Sequence, residues 1–291
     1  MTGFSEINKA AEMQYDPIKK KLGAFFNKAP FLRKLFYRLL DLLLLRTWHI
    51  KKEIRIWAQS RKKKAEADCD TFILDAGAGF GQYTYFLSKT NNQWNILSVD
   101  VKEEQVADCN RFFSGRGAKN VHFQKADLTK FIMETNFDLV LCVDVMEHIL
   151  EDELVFKNYF KSLKDGGMLL ISTPSDQGGS DVHGDMETSF IEEHVRDGYN
   201  IGEIEAKLRR AGFTDVDARY SYGPPGKLSW RLSMKYPILL LGANKLFFVI
   251  LPLYYIILYP LCYALNHLDL LFKWKSGTGL IVKAWKNTQR T

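Results

Sequence analysis

Residues 71–81 read Thr-Phe-Ile-Leu-Asp-Ala-Gly-Ala-Gly-Phe-Gly. Gly77, Gly79 and Gly81 follow Asp75 at alternate positions, and glycine lets bare backbone turn sharply and approach a ligand closely. A helical pattern follows (Tyr83, Tyr85, Phe86, Leu87), so N–H groups at a helix start face the same place. This suits a nucleotide-like cofactor. The dinucleotide fingerprint G-x-G-x-x-G would put its third glycine at position 82, which is Gln82. The loop here is G-x-G-x-G instead, and alone it is also compatible with a plain strand–helix turn. A second acid, Asp100, lies about twenty residues on, where a ribose-binding carboxylate is expected. Such a carboxylate accepts from both ribose hydroxyls. Asp127 follows a third apolar run. Asp144-Val145-Met146-Glu147-His148 follows a fourth, where strand ends of an open α/β sheet face the ligand crevice. There an acceptor must be aligned and often deprotonated, and His148 is a candidate base.

The elements that position these residues alternate regularly. Strands are expected at Phe72–Leu74, Gln93–Asp100, Val121–Lys125, Phe137–Val143 and Gly167–Thr173. A turn is expected at Leu163–Gly167, and a helix closes at Leu208–Gly212 before a strand at Phe213–Val216. This order argues a parallel α/β sheet. With the loop preceded by an acid, it resembles motif I and the following acids of the class I S-adenosylmethionine (SAM) dependent methyltransferases. The resemblance rests on Asp75, Gly77, Gly79, Asp100 and Asp127. It covers residues 71–221 and 277–286. It implies a Rossmann-like, seven-stranded α/β sheet, SAM lying over Gly77–Gly81, Asp100 on its ribose and Asp127 near its adenine. It also counts Gly81 and Cys142 as cofactor-binding positions.

Asp144, Glu147 and His148 are similar to the E-x-x-E-H of the ubiquinone-pathway O-methyltransferases and the small-RNA 2′-O-methyltransferases. That likeness implies a divalent cation (Mg²⁺, Mn²⁺ or Zn²⁺) held by Asp144, Glu147, His148 and His194. It also favours methylation on oxygen. Asp144 is one methylene shorter than the family's Glu. Acid–base work or positioning by His148, and a purely structural Glu-His pair, remain alternatives. His183, His122, His49 and His267 carry no constellation. The polar loop Ser175, Asp176, Gly178, Gly179 and Ser180 is expected near the acceptor.

A chain of 291 residues allows one large α/β domain with additions, and 46% hydrophobic content excludes a disordered chain. The four cysteines form no C-x-x-C pair, which suggests reduced, intracellular thiols. The polar first 20 residues show no secretory signal pattern. Charge is uneven. Residues 1–70 hold 16 Lys+Arg and 8 Asp+Glu, a net +8, against +6 for the whole chain and hence −2 for the rest. Within that segment, Phe31–Leu45 is helical in pattern. Leu32, Leu35, Phe36, Leu39, Leu42 and Leu43 share one face, and Arg33, Lys34 and Arg38 lie off it. A basic amphipathic helix suits an anionic membrane surface. It also suits a cover over the cofactor, and basic clusters bind nucleic acid too, here the weakest of the three.

From Leu246 to Leu265 there are 20 consecutive residues without charge. By length this is a membrane-span candidate. Tyr254, Tyr255, Tyr259 and Tyr263 resemble an interfacial aromatic population, and Pro252 and Pro260 would bend a helix. Gly277–Trp285 then reads as a last strand, antiparallel beside Asp215–Tyr220. Both ends of the insert would lie on one side of a membrane, so a single crossing is forbidden. Two crossings need about 40 apolar residues. Tyr236–Leu265 supplies 30, broken at Asn244 and Lys245. The expectation is a monotopic insert, with a soluble helical cap as the alternative. The divisions are therefore 1–70 (basic helical segment), 71–223 (cofactor-binding core), 224–275 (apolar insert) and 276–291 (last strand and tail). The favoured reading is a SAM-dependent methyltransferase on the cytoplasmic face of a membrane. Its acceptor would be a lipid, an isoprenoid or a lipid-linked compound. A soluble small-molecule or RNA methyltransferase and a non-catalytic SAM-binding membrane adaptor are the rivals.

Overall fold

The computed structural model describes residues 29–63, 70–178, 195–244 and 246–287. Helices α1 (Pro30–Leu43) and α2 (Leu45–Lys63) precede the core. The core runs β1 (Phe72–Ala76), α3 (Gln82–Thr90), β2 (Asn95–Asp100), α4 (Glu103–Ser114), β3 (Val121–Lys125), β4 (Phe137–Val143), α5 (Asp152–Ser162), β5 (Leu163–Pro174), α6 (Ile201–Ala211) and β6 (Asp215–Ser221). An insert of α7 (Pro224–Trp230), α8 (Tyr236–Ala243) and α9 (Phe247–Leu271) precedes β7 (Gly279–Trp285). One sheet takes the order β3-β2-β1-β4-β5-β7-β6, giving the seven-stranded Rossmann-like α/β fold. The inner strands are parallel and nearly continuous apolar runs, as strands covered on both faces must be. β5 starts earlier than its apolar run suggests. Leu163 already pairs with Phe137, and a register shift absorbs the Gly166-Gly167 step.

β7 lies antiparallel between β5 and β6. Its pairing with β6 runs from Asp215 opposite Trp285 to Ser221 opposite Gly279. The insert therefore leaves and re-enters one end of one strand pair. It folds as a helical hairpin. Between α7 and α8, Arg231–Lys235 opens into a π-helical turn, where the Tyr236 N–H reaches back to the Arg231 carbonyl. Pro237 has no N–H to give. The Tyr254 and Tyr255 hydroxyls of α9 donate to the Leu232 and Ser233 carbonyls at 2.7 and 2.8 Å. The Tyr259 hydroxyl donates to the Leu42 carbonyl. These tyrosines, expected at a headgroup boundary, instead satisfy backbone carbonyls. α9 runs through Pro252 and Pro260 without a break, and the hairpin turns at Asn244. Lys245 lies outside the described residues.

The first helix turns several of its apolar residues outward. On α1 the buried residues are Arg33 and Tyr37, while Phe31, Leu35, Leu39 and Leu42 are exposed. Arg33 donates to the Phe80 and Asp108 carbonyls and the Tyr37 hydroxyl. The leucine stripe thus faces away from the core. Its C-terminal end adjoins α9 through the Tyr259–Leu42 bond.

Asp269, near the end of α9, is fully buried. One oxygen accepts from His49 Nε2 at 2.8 Å and from the Tyr222 N–H, and the other accepts from the Gly226 N–H. Burial first holds the His49 pKa below its ordinary value, against the pull of Asp269. Arg219 Nη1 lies 3.2 Å from His49 Nδ1. An arginine can only donate, so Nδ1 accepts and the ring proton sits on Nε2, facing Asp269. His49 therefore belongs to a constellation that the sequence pattern did not show. Removing one partner of a buried charged hydrogen-bond set costs roughly 3–5 kcal/mol. Asp269→Ala should lower the urea-unfolding free energy by about that much, whereas Glu103→Ala, in an exposed pair with Lys125, should leave the urea midpoint unchanged.

Candidate active site

The cofactor loop is built at the carboxyl end of β1. Gly77 holds φ +77°, and a Cβ there would come 2.3 Å from Val145 Cγ2. Glycine is therefore required where the β1 loop meets the β4 loop. Gly79 holds φ +51°, and its missing side chain would enter open space. Gly81, left-handed, starts α3. The Gly79 N–H donates to Asp100 Oδ2 and the Lys102 N–H to Asp100 Oδ1, at 2.8 and 2.9 Å. Asp100 thus stands at the end of β2, facing the loop. Asp127 lies beyond β3, largely exposed. Its Oδ1 accepts from the Thr129 N–H and hydroxyl, which hold its pKa below the usual carboxylate range.

Asp75 and Cys142 are placed differently. Asp75 is buried beneath the loop and accepts from the Thr84 hydroxyl at 2.6 Å, and Thr84 also meets Ser98. Burial pushes its pKa up to about 6, and Asp100 adds to the shift. The Cys142 side chain is wholly inside the core against Tyr159. Its thiol is therefore a packing group, not a cleft-lining one.

Helices α1 and α2 close over this loop. The Arg33 guanidinium and the Tyr37 hydroxyl both bind the Phe80 carbonyl. Gln82 reaches Asp41, and Tyr83 meets Thr47 at 3.3 Å. Leu44 is extended and breaks α1 from α2, which turns Arg46 toward the β4 loop. Arg46 Nη1 pairs with Asp144 Oδ2 at 2.7 Å. Nothing in the composition pointed to Arg46, because its partner lies 98 positions away in the chain.

Asp144 holds φ +52°, a region that side-chain-bearing residues rarely occupy. Met146–His148 form one 3₁₀ turn. Glu147 is buried and accepts from the Thr173 hydroxyl at 3.2 Å. Burial, and then the Asp144 carboxylate, raise its pKa well above the usual carboxylate range. His148, on the same turn, is half-buried. Among the described residues no group of three His, Cys, Asp or Glu side chains gathers into a metal site. Asp144 is turned to a guanidinium and Glu147 to a hydroxyl, so these side chains do not fit the expected cation. His194 lies outside the described residues; its neighbour Val195 donates to the Glu147 carbonyl.

Comparison with known proteins agrees with this geometry. Residues 68–209 match a family described as a methyltransferase domain. Over 154 residues the chain is 30% identical to a phosphoethanolamine N-methyltransferase of Triticum aestivum, covering 50% of this chain and 29% of that protein. It is 26% identical over 131 residues to a malonyl-[acyl-carrier protein] O-methyltransferase of Bacillus cereus, covering 45% of this chain and 48% of that one. The chain thus spans half or less of the length of these relatives. A Haemonchus contortus phosphoethanolamine N-methyltransferase 2 structure, in complex with S-adenosyl-L-methionine, aligns with TM-score 0.57 at 16% identity. That alignment covers 92% of this chain and 60% of that one, and it shows a shared fold.

The Asp75 shift gives a signed pH dependence. The unfolded carboxyl loses its proton near 3.8 and the folded one near 6, so between them the native state binds more protons. Stability from this group is present below the lower value and is lost as pH rises through about 6. Relative to Asp75→Asn, the wild type should lose about 3 kcal/mol of unfolding free energy between about pH 4 and pH 7. Chemical denaturation across that range, without cofactor, measures it.

Proposed function

We infer that this chain, whose residues 68–209 belong to the class I SAM-dependent methyltransferases, methylates an amphiphilic acceptor at the cytoplasmic face of a membrane. The acceptor is a lipid, an isoprenoid or a lipid-linked compound, methylated on oxygen. The observation that carries this reading is an apolar hairpin built directly onto the helices that close the cofactor cleft. Phe247–Leu271 is long and apolar enough to cross a membrane, and only 6% of its most apolar window is buried. Phe248, Val249 and Ile256 are each more than 70% exposed. A helix so bare is unstable in water unless something apolar covers it.

The hairpin's length favours insertion over crossing. α8 has eight residues, which span about 12 Å against the roughly 30 Å of a hydrocarbon core. Arg231 and Lys235 lie just before it, at the level where the chain would leave the apolar phase. Asp41, Lys51, Lys52 and Arg55, with Trp48, line a groove of about 450 Å³ against Leu270 and Leu271 at the base of α9, where Lys51 pairs with Asp41 and Lys52 donates to the Leu270 carbonyl. Cations there suit anionic headgroups. The exposed leucines of α1 extend the same apolar face. The packing of the hairpin base on α2 also supports the rival of a soluble cap, but leaves Phe248, Val249, Leu253 and Ile256 on α9 exposed.

SAM would supply an electrophilic methyl carbon on a sulfonium: the acceptor oxygen would bond to that carbon as the carbon–sulfur bond breaks in line, with S-adenosylhomocysteine as the leaving group. The chain's part is to align that oxygen and take its proton. His148 is the more accessible of the Glu-His pair and is the base in this reading. Glu147 and Asp144 position the loop that carries it. The names of the relatives include both nitrogen and oxygen acceptors, so the product decides the element.

Three experiments test this. Methyl-labelled SAM with native membrane lipid extract should leave label in the organic phase, and Gly79→Arg, which fills the open cleft, should abolish it. Label only in aqueous or RNA fractions would sink the lipid reading. His148→Ala should lower kcat by roughly 10²–10⁴-fold with SAM affinity retained. Separately, Phe248→Glu with Ile257→Glu should prevent flotation with anionic vesicles while SAM still binds. Flotation equal to wild type would leave the hairpin as a cap.

A further inference from the structure

Arg46 sits where the cofactor cleft, the lid helices and the apolar hairpin meet. Its Nη1 pairs with Asp144, yet its Nε is buried and has no hydrogen-bond partner. Its backbone N–H donates to the Tyr222 hydroxyl at 3.0 Å, which leaves the phenol's own proton available. The Arg46 and Asp144 charges both act on the Tyr83 and Tyr222 phenols. Burial raises both phenols, Tyr222 to about 12, so both stay neutral, and the Tyr83 oxygen already accepts from the Arg46 side chain. Thr47, next in the chain, meets the Tyr83 hydroxyl. Donors from α2, α3 and the end of β6 thus gather around one guanidinium.

Two of the three non-glycine residues with positive φ among the described residues, Asp144 and Tyr222, flank this guanidinium. Such conformations cost energy and persist at ligand clamps. The Arg46 side chain is about one-third exposed, and its buried Nε without a hydrogen-bond partner carries an unmet cost. The monodentate Asp144 carboxylate leaves that edge of the fork unused. An anion with three free oxygens would engage Nε and Nη together and still accept from the phenols, the geometry arginine offers phosphate.

We propose that Arg46, with Tyr83 and Tyr222, is the subsite for a phosphate group carried by the methyl acceptor. Binding exchanges one ion pair for another. The phosphate takes the guanidinium, and the Asp144 carboxylate is released toward the reacting end of the acceptor. The proposal rests on the methyl-transfer reading for the word acceptor, while the subsite itself is a binding claim. The phosphate is either a lipid headgroup, its chains along the exposed hairpin, or part of a water-soluble phosphoester.

Both sources are tested on the full chain saturated with S-adenosylhomocysteine. One arm titrates glycerol 3-phosphate and reads the melting temperature. The other compares flotation with phosphatidylcholine vesicles with and without phosphatidic acid. Wild type should respond in at least one arm: vesicles alone assign a lipid headgroup, glycerol 3-phosphate alone a soluble phosphoester. Arg46→Gln should weaken the response by about tenfold or more. Arg46→Lys should retain part of it, and Arg38→Gln, an exposed change on the neighbouring helix, should retain all of it. No wild-type response in either arm overturns the proposal. So does Arg46→Gln that binds S-adenosylhomocysteine normally and responds like wild type. Failure of the wild type to bind S-adenosylhomocysteine would sink the methyl-transfer reading, and the same two arms run without it still decide the subsite.

Discussion

The antiparallel return of β7 between β5 and β6 governs the rest of this molecule. Because Ser221 pairs with Gly279, the chain that leaves β6 must come back to the same sheet end. Fifty-odd residues of mostly apolar sequence are thereby confined to an excursion that returns to the sheet end it left. The excursion could have flopped independently of the core. It does not, because Asp269 near its return end is held by His49, Tyr222 and Gly226. Tyr222 in turn meets the Arg46 N–H, and Arg46 meets Asp144. An unbroken run of polar contacts links the base of the apolar hairpin to the loop after β4.

Charge is placed where apolar packing would not give direction. A leucine stripe could dock α1 in several rotations. Arg33 can satisfy the Phe80 and Asp108 carbonyls together only in one. The same logic holds under α2, where Glu53 takes Arg219 and Lys283, and Lys283 also takes Asp217. Buried ion pairs contribute little net stability against apolar replacements, because desolvation offsets the attraction. What they contribute here is orientation: the apolar face of α1 is left outward, beside α9.

Local chemistry was legible in the sequence. The glycines at 77, 79 and 81 take left-handed φ, and Asp100 faces them, because a strand–turn–helix leaves few other solutions. The antiparallel last strand and the turn at Asn244 were legible for the same reason. The orientation of α1 was not. Hydrophobic periodicity reports which face is apolar, not whether protein or lipid covers it, and it places Arg33 off that face without saying what Arg33 meets. His49 and Asp269 are 220 positions apart, and neither sits in a pattern, so only the fold could join them. The tyrosines of α9 were ambiguous in the sequence because an amphipathic ring suits an interface and a starved carbonyl equally well. Asp144, Glu147 and His148 invited a metal. An arginine from another helix had already answered the carboxylate.

The same contacts constrain how an acceptor can arrive. Leu42 and Trp48 lie on either side of Arg46 in the chain and both touch α9, through Tyr259 and Tyr263. Movement of the hairpin relative to the sheet must therefore strain either these contacts or the Asp269 clamp. The clamp, fully buried and satisfied on both oxygens, is the harder to break. The rim around Leu42 rests on one partly exposed hydrogen bond. A load on the exposed face would open the rim before the base, along the line that leads to Arg46. Asp144 and Tyr222 hold their strained backbones on that line, so displacing the Arg46–Asp144 pair would relieve part of the local cost of admitting a ligand.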